Sequence, residues 1–208
     1  MIIDINKCDL TNDYFHFTNK KNIDSILNNG LIPSVGTASK LVGDEPNVSV
    51  SQGGKGIMGI IDSFIYKFSE ELSLSQIPDE YKKYFSEITD FNSNNLPSKD
   101  NACKAMIRKL KDEVYFKVQL SKEQLGKAEI GGFTGFDVKL PMSIDSSKLD
   151  LITDSNNKVL TAYDVALHIY EKAKNIEVFR EHHEKLFHMF EMENKNIGNK
   201  HIDDALDR

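Results

Sequence analysis

The stretch that most constrains this chain lies near its start. Tyr14-Phe15-His16-Phe17-Thr18 is followed at once by a segment that ends Asn28-Asn29-Gly30-Leu31-Ile32-Pro33. Alternation sets Tyr14, His16 and Thr18 on one side and Phe15 and Phe17 on the other, the period-two mark of a half-buried strand. The next segment opens at a capping residue, Thr18 or Asn19, and puts Ile23, Ile26 and Leu27 on one helical stripe. It stops at Gly30, a residue that tolerates the left-handed backbone of a helix end. A strand with a histidine and a threonine on its polar side therefore runs straight into a short helix.

The remainder reads as short elements in mixed order. Ile2, Ile3 and Ile5 suit a lead-in strand, and residues 33–47, with Pro33, Gly36, Gly43 and Pro46, suit a long loop. Loops of that length in a compact domain are often functional. Val48-Ser49-Val50-Ser51 alternates as a strand and breaks at Gln52-Gly53-Gly54-Lys55-Gly56. From Ile57 to Phe68 apolar residues recur at helical spacing. Residues 73–112 are polar with helical patches, a pattern expected of an insertion. Strands follow at 113–120, 135–141 and 149–153, then helices from Thr161 and from Ile176 to Glu193. The expectation is an α+β fold: a core over 1–155 carrying the 73–112 insertion, with a helical extension over 156–208 packed on it.

Several residues carry candidate chemistry. A neutral imidazole at position 16 can donate from one nitrogen and accept at the other, which suits a ribose hydroxyl; it can equally be satisfied by a nearby carbonyl. The strand-to-glycine junction at Ser51–Gly56 can aim N–H groups at an anion, with Lys55 adding charge, or can be a plain turn. It lacks the spacing of a P-loop. Asp137 and Glu129 are the carboxylates on or beside late strands. His182, His183 and His188 stand near Glu184, but His183 and His188 are five apart and diverge on a helix, so a charged solvated face is expected there rather than zinc. Cys8 and Cys103 are far apart in sequence and fit two reduced thiols. A net charge of -6 argues against a broad nucleic-acid footprint. No run approaches the ~18 apolar residues of a membrane span, and the acid within the N-terminal apolar stretch does not fit a signal peptide, so a cytoplasmic setting without membrane contact is expected.

The strand bearing His16 and Thr18, with a helix of the form I-L-x-x-G-L after it, resembles the opening of the ADP-ribosyltransferase superfamily. The likeness covers residues 13–70 and, more faintly, 113–153. It implies a small split antiparallel sheet that binds NAD as substrate. His16 would contact the adenosine-side ribose, while backbone groups just after it, at Phe17 and Thr18, would hold the nicotinamide amide. Ser49, Ser51 and Tyr66 would line the nicotinamide pocket. Asp137 stands where the family's strand reads E-V-x-x-P, one methylene shorter, with Glu129 as the alternative carboxylate. The activity implied is transfer of ADP-ribose to a protein, nucleic acid or small molecule, as in a bacterial toxin, an effector or a cytosolic modifier. An RNA 2′-phosphotransferase-like enzyme is a rival on the same fold, although only Arg108, Arg180 and Arg208 are present to grip phosphate. A catalytically silent module that binds a nucleotide or protein is the other, and the shortened acid favours it.

Overall fold

The computed structural model describes residues 1–35, 45–131 and 137–193. Outside them lie part of the expected 33–47 loop, Gly132 of the glycine pair, the start of the 135–141 strand and the end of the tail. Seven strands run β1 (Ile2–Asp4), β2 (Tyr14–Asn19), β3 (Val48–Gln52), β4 (Glu113–Val118), β5 (Glu129–Gly131), β6 (Asp137–Leu140) and β7 (Leu149–Thr153). The helices are α1 (Ile23–Asn29), α2 (Gly53–Tyr66), α3 (Asp79–Lys82), α4 (Lys99–Lys111), α5 (Lys122–Gly126), α6 (Ala162–Ala173), α7 (Glu177–His182) and α8 (184–193). The fold is α+β.

The chain divides into two compact units, Met1–Ile60 with Arg108–Ile169, and Ile61–Ile107 with the chain from Tyr170 on. Most of the expected insertion and most of the expected extension fall in the second. Within that unit Phe68 meets Tyr81 and Phe85 edge-on, and Tyr170 stacks on Phe190.

The first unit holds one seven-stranded sheet in the order β1-β7-β4-β2-β3-β6-β5. All neighbours are antiparallel except β1 and β7. The expectation of a small, wholly antiparallel sheet is corrected to this extent. Residues directly opposite each other across a ladder share a face, so the register sorts the side chains. Tyr14, His16 and Thr18 share a face with Val48, Val50, Val114, Phe116, Val118, Val138 and Leu140. The apolar members of that face pack with Ile26 of α1, Leu31, Ile144, Leu149 and Leu151 in one core. On the other face Phe15, Tyr115 and Ile152 are also fully buried.

The opening unit forms as its residues dictate, with one refinement. Asn19, not Thr18, is the cap: its side chain accepts from the Lys21 N–H and starts a short 3-10 turn that leads into α1. α1 closes at Gly30, φ +75, whose N–H bonds the Ile26 carbonyl. α2 begins inside the glycine run rather than after it. Gly53 has φ +61, and a Cβ there would lie 2.7 Å from the Leu10 carbonyl oxygen. The N–H groups of Gly53 and Gly54 donate to the Asp13 and Leu10 carbonyls at 2.8 and 2.7 Å. These glycines let the 10–13 turn approach the helix, and those two donors are not available to an anion.

Gly53→Ala should therefore lower folding stability by about 2 kcal/mol or more, since the left-handed backbone and the close carbonyl both oppose a Cβ. Gly126→Ala, where a Cβ meets nothing within 4 Å, should change it by less than ~0.5 kcal/mol. Thermal melts of the two variants check this.

Candidate functional site

His16 is the third residue of β2 and is half-buried on the face that α1 covers. Its Nδ1 lies 2.9 Å from the Ser49 carbonyl oxygen. A carbonyl can only accept, so Nδ1 carries the hydrogen and Nε2 is left as an acceptor. Burial pushes the imidazole pKa below its ordinary value, against the weaker opposing effect of the Ser49 carbonyl, and the ring is neutral at pH 7.

The link sits at an unusual place in the sheet. β2 pairs with β4 over six residues, from Tyr14–Val118 to Asn19–Glu113, and β3 pairs with β6 over four. Between β2 and β3 the ladder holds only Tyr14–Gln52 and Phe15–Ser51. Beyond Phe15 the imidazole of His16, rather than a backbone pair, reaches across to β3.

The other expected site residues are distributed as follows. Thr18 shares the face of His16, and its hydroxyl accepts from Asn22 Nδ2 at 3.1 Å. Ser49 is exposed and donates to Asn47 Oδ1 at 2.6 Å. Ser51 is 1% exposed and lies opposite both Phe15 and Asp137. Phe17 packs on Tyr115 with ring centroids 5.0 Å apart, and Lys109 Nζ sits 4.5 Å from its ring centre. Glu129 is exposed on the edge strand, opposite Lys139. Tyr66 belongs to the second unit, where Lys185 Nζ stands 5.1 Å over its ring. The register thus sends Phe17, Ser49, Ser51, Asp137 and Glu129 to the face opposite His16 and Thr18. His16 and either carboxylate, Asp137 or Glu129, lie on opposite faces of the sheet, because their positions differ in parity along the paired strands.

Asp137 is half-buried, and its Oδ1 has no hydrogen-bond partner among the described residues. Burial raises its carboxyl to about 6, opposed by the charge of Lys139. Two residues that the sequence reading passed over, Tyr115 and Glu113, share its face. Tyr115 is fully buried, and its hydroxyl also lacks a partner. Burial, then the charges of Glu113 and Asp137, hold its phenol well above the usual range. Glu113 forms a buried ion pair with Lys109, the two residues being 8% and 5% exposed. The sequence signal for that pair was their spacing of four, obscured because Lys109 lies in the last turn of a helix and Glu113 begins a strand. Tyr115, inside an alternating apolar strand, gave no signal beyond core.

In the second unit Asp62 accepts from His183 Nδ1 at 2.7 Å and from the Leu186 N–H at 2.6 Å, which ties its carboxylate to the start of α8. His188 contacts Asp100 at 3.0 Å. Among the described residues no group of three or more His, Cys, Asp or Glu is arranged to hold a metal ion. No helix among them is long and apolar enough to cross a membrane. Cys8 and Cys103 are free, with thiols pushed up by burial to about 11 and about 12. They are poor nucleophiles.

Two outcomes follow. The carboxyl of Asp137 is raised from its ordinary 3.8 to about 6, so its contribution favours folding below pH 4 and is lost as pH rises to 6. Asp137→Asn should gain stability relative to the parent across that window, as read in denaturant melts from pH 4 to pH 7. Lys109→Met leaves Glu113 buried without its counter-charge and should cost about 3–5 kcal/mol, whereas Lys109→Met with Glu113→Leu should recover most of it.

Compared with protein-family models, curated proteins and solved structures, the chain gives no significant match to any.

Proposed function

We propose that the first unit binds NAD and transfers its ADP-ribose to an acceptor, as an ADP-ribosyltransferase-like protein. The observation that carries this reading is the hydrogen bond between His16 Nδ1 and the Ser49 carbonyl where β2 and β3 part. It fixes a neutral imidazole with Nε2 as acceptor, the state that a ribose hydroxyl requires as donor. Adjacent strands lend further support: β2, β3 and β6 are consecutive in the sheet and carry His16, Ser49 with Ser51, and Asp137.

In such a transfer the bond between nicotinamide and ribose C1′ breaks and nicotinamide departs with the electron pair. The ribose ring oxygen shares the resulting positive charge, and an acceptor nucleophile adds at C1′ and loses its proton. A carboxylate stabilises that charge and holds the 2′-hydroxyl. Asp137, with its carboxyl at about 6, is ionised at pH 7 as this role demands. The RNA 2′-phosphotransferase alternative draws less support, because the chain has only Arg108, Arg180 and Arg208 to grip phosphate.

One observation favours a second reading, in which a nucleotide is held without turnover. The residues of β6 that share the face of His16 are Val138 and Leu140, both apolar, while Asp137 leaves the opposite face.

Incubation with NAD, with free nicotinamide and NAD affinity both measured, separates these readings. Transfer predicts nicotinamide release that falls at least tenfold in His16→Ala, with Asp137→Asn abolishing release while NAD still binds. Binding without release selects the silent module, and absence of both overturns the proposal.

A further inference from the structure

We infer that Asn47 is a positioning residue for His16, acting through Ser49 to hold the imidazole in the tautomer whose Nε2 accepts. Three links in series carry this. Asn47 is clamped to Ser34 by backbone: the Ser34 N–H donates to the Asn47 carbonyl at 3.1 Å, and the Asn47 N–H donates to the Ser34 carbonyl at 3.3 Å. The Asn47 side chain then accepts the Ser49 hydroxyl at 2.6 Å. The Ser49 carbonyl in turn accepts from His16 Nδ1 at 2.9 Å.

The register shows why the middle link matters. β2 and β3 pair as Tyr14–Gln52 and Phe15–Ser51, and the Gly53 N–H extends the same alignment by donating to the Asp13 carbonyl at 2.8 Å. Hydrogen-bonded and open pairs alternate in an antiparallel ladder, so Ser49 points its peptide groups toward β2 as Ser51 and Gly53 do. The next rung of a continuous ladder would join Ser49 to Phe17. That pair does not form, and the Ser49 carbonyl goes to the His16 ring. β6 holds β3 from the far side over Val48–Ser51. On the side facing β2, the Asn47 side chain ties Ser49 to the clamped end of its strand in place of a rung.

The consequence is chemical as well as mechanical. A neutral imidazole carries its hydrogen on either nitrogen, and a neighbouring group selects which. While the Ser49 carbonyl stays in reach, Nδ1 keeps the hydrogen and Nε2 accepts. Once that carbonyl moves away, the hydrogen can reside on Nε2, which then donates and no longer accepts a hydroxyl. The part of Asn47 that does this is Oδ1. Its Nδ2 donates elsewhere, to the Glu45 carbonyl at 2.8 Å. An aspartate keeps the acceptor and loses that donor, which separates the two roles. The tautomer stands on the unliganded protein, and only its effect on NAD rests on the transferase reading.

The full chain is prepared with isotopically labelled histidine, and the imidazole nitrogen resonances of His16 are read by NMR at pH 8, assigned by their loss in His16→Gln. The parent should carry the hydrogen on Nδ1. Asn47→Ala and Ser49→Ala should each lower the ratio of the Nδ1–H to the Nε2–H tautomer at least fivefold, and Asn47→Asp should keep it within twofold of the parent. Asn47→Ala should also weaken NAD binding at least threefold. A parent ring protonated on Nε2, or an unchanged ratio in Asn47→Ala, overturns the inference. So does a ratio in Asn47→Asp that falls as far as in Asn47→Ala. If the parent binds no NAD, the transferase reading fails while the ratio still decides the role of Asn47. If Asn47→Ala does not fold, Ser49→Ala set against Ser49→Thr, which keeps the hydroxyl, decides by the same ratio.

Discussion

β2 is zipped to β4 over six residue pairs and to β3 over two, and that inequality governs the first unit. A continuous antiparallel ladder would satisfy the backbone of β3 with that of β2. Here the pairing stops after Phe15, and the Ser49 carbonyl is instead satisfied by an imidazole. The substitution fixes one tautomer of His16, because a carbonyl cannot donate. Burial keeps the ring neutral, against the opposing effect of that same carbonyl. The shortfall of backbone pairing thus sets the tautomer, and burial sets the charge.

On the opposite face the governing term is the cost of polar groups kept from water. Lys109 and Glu113 compensate each other, and the Lys109 ammonium also lies against the Phe17 ring. Such a pair contributes little net stability, since desolvation consumes most of the Coulombic gain, yet removing one partner is expensive. It therefore fixes the end of α4 against the start of β4 more than it strengthens the fold. Tyr115, two residues along the same strand, is packed on Phe17 by its ring while its hydroxyl has no hydrogen-bond partner among the described residues. An apolar ring that is well housed and a hydroxyl that is not are difficult to explain by packing alone.

How much of this was legible in the chain depends on whether a feature is local. The alternation of Tyr14 to Thr18, the stop at Gly30 and the strand at Val48–Ser51 were all visible, because each is written within a few residues. The start of α2 was not: Gly53 and Gly54 read as a break. Their N–H groups are taken by the 10–13 turn, a contact between segments about forty positions apart. Strand parity was visible for β2 and for β3 separately. Which parity of one meets which parity of the other is a property of register, and no single strand encodes it. That is why the sequence places His16 and Asp137 each on a strand but does not show that they emerge on opposite faces. The second unit draws on residues 61–107 and those from 170 on, so the hydrogen bonds that join Asp62 to His183 and Leu186 could not be read from either stretch by itself.

The separation of His16 from Asp137 restricts what a shared ligand could look like. A ligand lying flat on either face reaches only one of them, since β3 stands between β2 and β6 and its side chains alternate. Between β2 and β3 the ladder holds two pairs where β2 and β4 hold six, so the strands that carry His16 and Asp137 are joined less closely than the rest of the sheet, with the imidazole bond to Ser49 beyond the last pair.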